Sequence, residues 1–251
     1  MKTKILSIVM PVYNEANTVQ KKIIEILNKK IYGFEIDLII VESNSTDGSK
    51  EIVKNFKNNK NIKILFQKKP LGKGNAVREG LKVCSGDIIL IQDADDEYSV
   101  DDYDKLLEPL ITNKASFVLG TRHHSNVWKI RTLENEPFKE YLLNVGHIFF
   151  TFLVNLFCST KLKDPFTMYK VFFRSCIKNI YFEANRFDFD YELVIKLIRA
   201  GHLPIEVPIN YKSRSFGDGK KIRLLYDPFT WIYAVIKYRF GKLYKNDTLK
   251  K

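Results

Sequence analysis

Asp93 and Asp95 stand two residues apart at the end of the run Ile88-Ile89-Leu90-Ile91-Gln92, with Asp96 and Glu97 directly behind them. A short apolar run that opens after Gly86 and closes on carboxylates reads as a buried strand delivering acids at its C-terminal end. In a strand-like continuation residues i and i+2 share a side, so Asp93 and Asp95 point the same way. Two converging carboxylates suit a hard divalent cation, Mg²⁺ or Mn²⁺, which takes few protein oxygens and completes its shell with water and phosphate oxygens. The alternative is a solvated acidic turn that caps the next helix.

The elements before this stretch say where such a site would lie. Ile5 to Met10 reads as a strand, and Pro11-Val12-Tyr13-Asn14-Glu15 as a turn into a helix from about Asn17 to Ile31, striped by Ile23, Leu27 and Ile31. Ile36 to Val41 is a second strand, closed by Glu42-Ser43-Asn44-Ser45-Thr46-Asp47-Gly48, a cluster that caps a helix carrying Ile52, Val53 and Phe56. Ile62 to Gln67 is a third, and Leu71-Gly72-Lys73-Gly74-Asn75 turns into a helix through Ala76, Val77 and Leu81. Three strand–helix pairs before the acidic strand predict a parallel α/β sheet. Ligands of such sheets gather outside the carboxyl ends of the strands. Pro11–Glu15, Glu42–Asp47 and Asp93–Glu97 all fall at that edge.

Composition narrows the function. The chain of 251 residues is long enough for one large α/β domain with a real core. The cysteines, Cys84, Cys158 and Cys176, are odd in number and widely spaced, which predicts reduced thiols in a cytosolic setting. The four histidines lack zinc-ligand spacing, and His123-His124 reads as a polar loop. The first turn is not G-x-G-x-x-G, and Gly72-Lys73-Gly74 lacks P-loop spacing, so neither a dinucleotide fold nor a P-loop is expected. Met1 to Met10 imitates a signal peptide, but its apolar run is short and ends at Pro11, so it reads as a strand. Net charge is +12, and Lys212 to Lys251 alone holds eleven Lys/Arg against three acids. Such a balance suits phosphate-bearing substrates or an anionic membrane surface. No nucleic-acid motif accompanies it, so nucleic acid is not an expected partner.

In their order, P-V-Y-N-E, V-E-S-N-S-T-D-G-S, L-G-K-G-N-A-V-R-E-G and G-D-I-I-L-I-Q-D-A-D resemble the inverting family 2 glycosyltransferases of the GT-A fold, over roughly Lys4 to Arg122. The resemblance implies a mostly parallel central sheet flanked by helices, and a nucleoside-diphosphate sugar as donor. It assigns nucleotide-sugar contacts to Pro11, Tyr13, Glu15, Glu42, Asp93, Ala94 and Lys170. Asp93, Asp95 and Glu97 become the ligands of Mg²⁺ or Mn²⁺, with Asp95 ligating the cation that bridges the two phosphates. The cation would act as Lewis acid and template for the departing diphosphate. Glu42-Ser43 departs from the family's usual Asp-Asp, and Glu97 stands where the nearest branch often has glutamine.

Beyond that half, Val118 to Arg122 reads as a strand ending in an arginine, and Pro137 to Cys158 as a long helix with a nearly all-apolar second half, Ile148 to Val154. That run is short for a membrane span, which leaves core burial or docking to an interface. Asp164-Pro165-Phe166-Thr167-Met168-Tyr169-Lys170 resembles the family's acceptor-side loop, with Met168 where glycine is common. Arg214-Ser215-Phe216-Gly217-Asp218-Gly219-Lys220-Lys221-Ile222 is similar to the dolichyl-phosphate mannose synthase-like branch, the polyprenyl-phosphate sugar synthases, whose resemblance also implies a phosphate contact for Arg122. Lys139, Glu140 and Asn144 depart from that branch, which usually offers an arginine and a serine early in the long helix. Gly217 and Gly219 suit a mobile loop on which Arg214 and Lys220 clamp phosphate oxygens.

Two regions follow: a glycosyltransferase domain over 1–222, and a basic amphipathic helix and tail over 223–251. In the tail, Phe229, Ile232, Tyr233, Ile236 and Phe240 share one face, and Trp231, Val235 and Tyr238 nearly the opposite one. The first is expected to pack on the body, leaving the Trp/Tyr-bearing face for a lipid interface, unless the whole helix docks on protein.

The expected activity is transfer of a hexose-type sugar to a polyprenyl phosphate, by a cytoplasmic protein peripheral at the membrane face, with Asp95, Arg122, Arg214 and Lys220 carrying catalysis. The first alternative transfers to a sugar hydroxyl of a glycan, with Asp188 or Asp190 as base. The second is a non-catalytic nucleotide-sugar or membrane-binding module.

Overall fold

The central strand reads Leu6, Ile8, Val9 and Met10, all fully buried, with no alternation between an inner and an outer face. Such a strand is covered on both sides, as in the middle of a parallel sheet. In the computed structural model, which describes residues 4–123, 130, 132–133, 136–214 and 227–245, β1 (Lys4–Val12) lies between β2 (Phe34–Glu42) and β4 (Ile88–Ile91), parallel to both. β3 (Ile62–Phe66) adds to the outer edge of β2, also parallel. On the other side β6 (Lys170–Phe173) runs antiparallel to both β4 and β5 (Phe117–Thr121), and β7 (Ile205–Pro208) closes the edge parallel to β5. The order is β3-β2-β1-β4-β6-β5-β7.

Strand β1 runs two residues past the expected Met10, through Pro11. The amide that Pro11 lacks would face β4, on the side where Val9 accepts from the Gln92 N–H. There the ladder has already ended at Val9–Ile91, so no sheet bond is lost. Helix α1 (Val19–Asn28) is shorter than expected at both ends, because Lys29 turns extended to lead toward Gly33 and β2. Helix α2 (Ser49–Lys54) follows the Gly48 turn, α3 (Lys73–Val83) packs on β1 and β2, and α4 (Tyr103–Ile111) covers β5.

Helix α3 starts beside the segment that leads into α6 (Asp188–Arg199), and two glycines make that approach possible. Gly72 has φ +101°, and a Cβ there would lie 2.3 Å from the Asn185 carbonyl oxygen. A Cβ on Gly74 would sit 2.5 Å from Phe189 Cβ and 2.7 Å from the Arg186 carbonyl oxygen. These are the glycines of the L-G-K-G-N motif, required by close packing of backbone on backbone.

Helix α5 (Pro137–Cys158) buries Leu143, Asn144, His147, Phe150, Thr151 and Val154 and exposes Phe138, Tyr141, Phe149, Phe152 and Leu156. Among the described residues it is the one helix long and apolar enough to cross a bilayer. Helix α7 (Asp227–Phe240) packs against α5 and α6, and its buried residues belong to the same core as the sheet. Its faces are the reverse of the sequence expectation. Val235 and Tyr238 are buried, and Trp231 stacks on Tyr191 at 5.9 Å and meets Phe150 edge-on at 5.3 Å. Ile232, Tyr233, Ile236 and Phe240 face outward. The amphipathic rings turn inward because partners await them there: the Phe150–Phe166–Tyr191 aromatic group, and Asp188, which accepts from the Tyr238 hydroxyl at 3.0 Å.

The contacts at Gly74 generate a direct test. Gly74→Ala overpacks the α3–α6 junction and is expected to cost about 1–3 kcal/mol in a urea-unfolding measurement. A midpoint within error of the parent would mean that the junction is loosely packed.

Candidate functional site

The acidic segment is fixed from below. Gln92 is fully buried at the end of β4, and its Oε1 accepts from the Tyr103 and Tyr169 hydroxyls, both at 2.8 Å. Its Nε2 donates to the Asp93 carbonyl at 2.9 Å. A buried amide with its bonds satisfied holds one backbone path, so Asp93 and Asp95 leave the sheet in a defined direction.

Above that floor, carboxylates and cations alternate. Asp93 accepts from Lys73 Nζ at 2.8 Å. Burial works against the Lys73 charge, but Asp93 and Asp190 outweigh it and hold its pKa above the ordinary lysine value. Asp95 is buried, and its Oδ1 accepts from the Glu97 amide at 3.1 Å. Its Oδ2 lies 3.0 Å from the Arg214 guanidinium, which also contacts Glu15 Oε2 at 3.0 Å. Glu97 Oε1 accepts from the Arg214 amide at 2.9 Å, and Oε2 from the Tyr211 hydroxyl at 3.3 Å. Burial, then Asp93 and Glu97, push the Asp95 pKa up to about 7 against the pull of Arg214 and Lys73. Burial works against the Arg214 charge, but Asp95, Glu15 and Glu97 outweigh it and raise its pKa.

Around this cluster opens a cavity of about 590 Å³, within the range of small-molecule sites. Pro11, Tyr13, Glu15, Asp93, Ala94, Asp95, Glu97, Arg122, Asp190 and Arg214 all line it, brought together from β1, β4, β5, α6 and the segment after β7. Three of the described residues singled out in the sequence do not. Glu42 is fully buried, and its two oxygens accept from the Asn44 and Ser45 amides at 3.0 and 2.7 Å, so it shapes the loop after β2 instead of facing a ligand. Lys170 is fully buried behind the cavity wall, where it donates to Asp190 at 2.7 Å and to the Thr167 carbonyl. Asp188 accepts from the Arg186 amide and the Tyr238 hydroxyl, both at 3.0 Å, and braces α6 against α7. Lys220, with the rest of residues 215–226, lies outside the described residues.

Arg122 reaches the cavity, but Asp164 already grips it. Its Nε and Nη2 donate to the two Asp164 oxygens at 2.7 Å each, its amide adds a third bond at 3.0 Å, and its guanidinium lies 5.2 Å from the centre of the Tyr211 ring. Burial opposes the Asp164 charge, yet Arg122 prevails and holds that carboxyl well below the usual range. The pair is a neutral, rigid part of the wall. Sequence reasoning missed Lys73, Arg186, Phe166 and Phe187 as cavity residues. Lys73 was visible inside L-G-K-G-N and Phe166 inside the stretch resembling the acceptor-side loop; Arg186 and Phe187 carry no local signal.

A second cavity, about 230 Å³ and mostly apolar, lies among α5, α6 and α7. Leu143, His147, Phe150, Tyr191 and Trp231 line it, and it shares Phe166, Phe187 and Asp190 with the first.

Among the described residues no three His, Cys, Asp or Glu side chains are grouped as a ready metal cage, so the expected Asp93–Asp95–Glu97 set is not assembled as three ligands. Lys73 holds Asp93 aside, and Arg214 and Tyr211 hold Glu97. The donor chemistry nevertheless fits a hard cation that takes few protein oxygens. Asp95 is a buried carboxylate with acid neighbours, whose excess negative charge two of the chain's own cations offset.

Residues 7–181 match the model described as glycosyl transferase family 2. Over 237 residues the chain is 25% identical to dolichol-phosphate mannosyltransferase of Pyrococcus furiosus, covering 93% of this chain and 64% of that one. It is 30% identical over 233 residues to dolichyl-phosphate beta-glucosyltransferase ALG5A of Trichomonas vaginalis, covering 87% and 68%. Glucosyl-3-phosphoglycerate synthase of Mycobacterium tuberculosis, crystallised with Mn²⁺, UDP and glucosyl-3-phosphoglycerate, superposes with a TM-score of 0.63 at 17% identity, covering 95% and 81%. The fold is therefore the GT-A arrangement that the motifs imply. The chain spans under two thirds of the first relative's length.

The raised Asp95 pKa sets a pH signature. Folded protein holds this proton up to about pH 7, whereas an unfolded aspartate releases it near pH 4. The contribution is full below the unfolded value and is lost as pH rises through the folded one. Without divalent cation, the urea midpoint of the parent is expected to fall from pH 5 to pH 8 more steeply than that of Asp95→Asn. Parallel pH profiles would exclude Asp95 as the group responsible.

Proposed function

This chain belongs to glycosyl transferase family 2, and from that premise we propose that it moves a hexose-type sugar, with inversion, from a nucleoside diphosphate to a polyprenyl phosphate at the cytosolic membrane face. The observation that carries the acceptor is the apolar cavity that joins the donor cavity at Phe166, Phe187 and Asp190. It offers room for the first isoprene units of a lipid beside the reacting centre, and its walls are mostly aromatic and aliphatic, with His147 and Asp190 as the ionisable side chains among them. The named acceptors of the two relatives point the same way.

In the reaction, an oxygen of the acceptor phosphate attacks the anomeric carbon from the face opposite the leaving group. The C–O bond to the diphosphate breaks, and its electron pair leaves with the diphosphate. The attacking oxygen is already ionised at pH 7, so the chain need supply no base. Lys73 and Arg214 bring positive charge to the phosphate side of the donor cavity. A divalent cation would be held by Asp95 with Asp93 or Glu97, and supplies charge neutralisation at the departing diphosphate. Pro11, Tyr13 and Ala94 line the remainder of the donor cavity, where base and ribose would lie.

Docking to the bilayer is assigned to the outward faces of α5 and α7, with Phe138, Phe149, Phe152, Leu156, Tyr233 and Phe240 exposed. Lys237 and Arg239 stand beside the α7 face and suit anionic headgroups. The corrected orientation of α7 thus retains a lipid-facing surface, built from the other half of the helix.

One observation keeps a hydroxyl acceptor in view: Asp190 stands where the two cavities meet, and could take a proton there.

The central test follows labelled sugar from UDP-, GDP- and dTDP-hexoses, with Mn²⁺, onto a short polyprenyl phosphate. Transfer is expected from one of these donors, with a loss of roughly a hundredfold or more in Asp95→Ala. No transfer from any of them would end the polyprenyl reading. Asp190→Asn is expected to keep turnover within about tenfold; near-complete loss with intact donor binding would establish the hydroxyl mechanism. Phe152→Glu with Phe240→Glu is expected to abolish flotation with anionic phospholipid vesicles at an unchanged melting temperature. Unchanged flotation would remove α5 and α7 as the docking surface.

A further inference from the structure

Arg214 reaches into the donor cavity and meets three acids from two segments of the chain. Its Nη1 lies 3.0 Å from Glu15 Oε2 on the turn after β1, and its Nη2 lies 3.0 Å from Asp95 Oδ2 after β4. Its Nε lies 3.9 Å from Glu97 Oε1, an oxygen that the Arg214 amide also holds at 2.9 Å. The side chain is about four-fifths buried. A planar fork of donors matches this spread of oxygens, whereas a compact ammonium reaches only one or two of them.

Resting on the donor reading above, the geometry points to a second role: Arg214 is the built-in counter-cation of the donor-free protein, and competes with the divalent cation for Asp95 and Glu97. A guanidinium 3.0 Å from Asp95 Oδ2 occupies one of the directions from which a cation would be ligated. Two positive groups on one carboxylate also repel. Entry of a divalent cation therefore requires the Arg214 fork to withdraw. A donor diphosphate supplies what makes withdrawal favourable, since its oxygens accept the same N–H groups that the carboxylates give up. No covalent bond changes; Arg214 exchanges carboxylate oxygens for phosphate oxygens while its backbone stays tied to Glu97. Cation and donor then bind cooperatively, each making room for the other. Arg214 is in this sense a positioning residue whose charge couples the two ligands.

Plain electrostatics predicts a different outcome from competition, and Arg214→Lys separates them because it keeps the charge but loses the fork. Mn²⁺ binding is read from the EPR signal of the free ion, first with Mn²⁺ alone and then with UDP, GDP or dTDP at saturation. Without nucleotide, Arg214→Lys is expected to bind Mn²⁺ on the order of tenfold more tightly than the parent. With the nucleotide that the parent accepts, the advantage is expected to vanish. Equal or weaker binding by Arg214→Lys without nucleotide overturns the proposal and leaves the donor reading intact. If the lysine variant does not fold, Glu15→Gln decides. It removes an acid yet unhooks the fork, so tighter Mn²⁺ binding supports competition and weaker binding refutes it. If the parent binds no Mn²⁺ even with all three nucleotides, the donor reading and this proposal fall together.

Discussion

Negative charge gathered at one edge of a sheet is the constraint on which the rest of this structure depends. Strands β1, β2 and β4 run parallel and end together, so Glu15, Glu42, Asp93, Asp95 and Glu97 collect at their carboxyl side. Two like charges 4 Å apart repel by about 4 kcal/mol at an effective dielectric of 20, so such a cluster needs compensation within the fold. Compensation takes three forms. Backbone amides take Glu42, Lys73 takes Asp93, and Arg214 spans Glu15, Asp95 and Glu97. Burial first, and then Asp93 and Glu97, keep the Asp95 pKa raised against the pull of Arg214 and Lys73.

Delivering those cations sets demands on distant parts of the chain. Lys73 opens α3, which sits close enough to the α6 approach only because Gly72 and Gly74 carry no side chain. Arg78 on the same helix donates to the Glu183 carbonyl at 2.6 Å and fixes the junction from a second point. Arg214 arrives through a separate brace. Asp102 is fully buried and accepts from the Asn210 amide at 2.7 Å and its side chain at 2.9 Å, and Tyr98 bridges to Tyr211. The segment after β7 is thereby held over the acidic stretch.

Where the acidic edge meets the helical layer, polarity drops sharply. Arg122 and Asp164 cancel one another, Lys170 secures Asp190, and beyond them lie Phe150, Phe166, Tyr191 and Trp231. In the proposed reading, a charged ligand would lie on one side of Asp190 and an apolar one on the other. That juxtaposition gives a membrane-borne phosphate a physical rationale as acceptor, because its head and its chain require opposite surroundings.

Local pattern determined much of this. Apolar runs closed by acids or by Ser/Asn/Gly turns marked the first four strands, and the ordered motifs placed Pro11, Tyr13, Glu15, Asp93 and Asp95 at one edge. Those features depend on nearest neighbours and on strand period, which a sequence displays. The direction of a side chain relative to a distant partner does not. Glu42 turned inward to its own loop, Lys170 went behind the wall, and α7 presented the face opposite to the expected one, because in each case a partner far along the chain, or a backbone amide after a sharp turn, offered better satisfaction than solvent. The sequence by itself determined the parallel strands β1 to β4, their acidic edge and the family, whereas the antiparallel β6 and the edge strand β7 came only with the fold. Only tertiary structure decided which charges meet, since Arg214 and Glu15 lie 199 residues apart and only folding sets their distance.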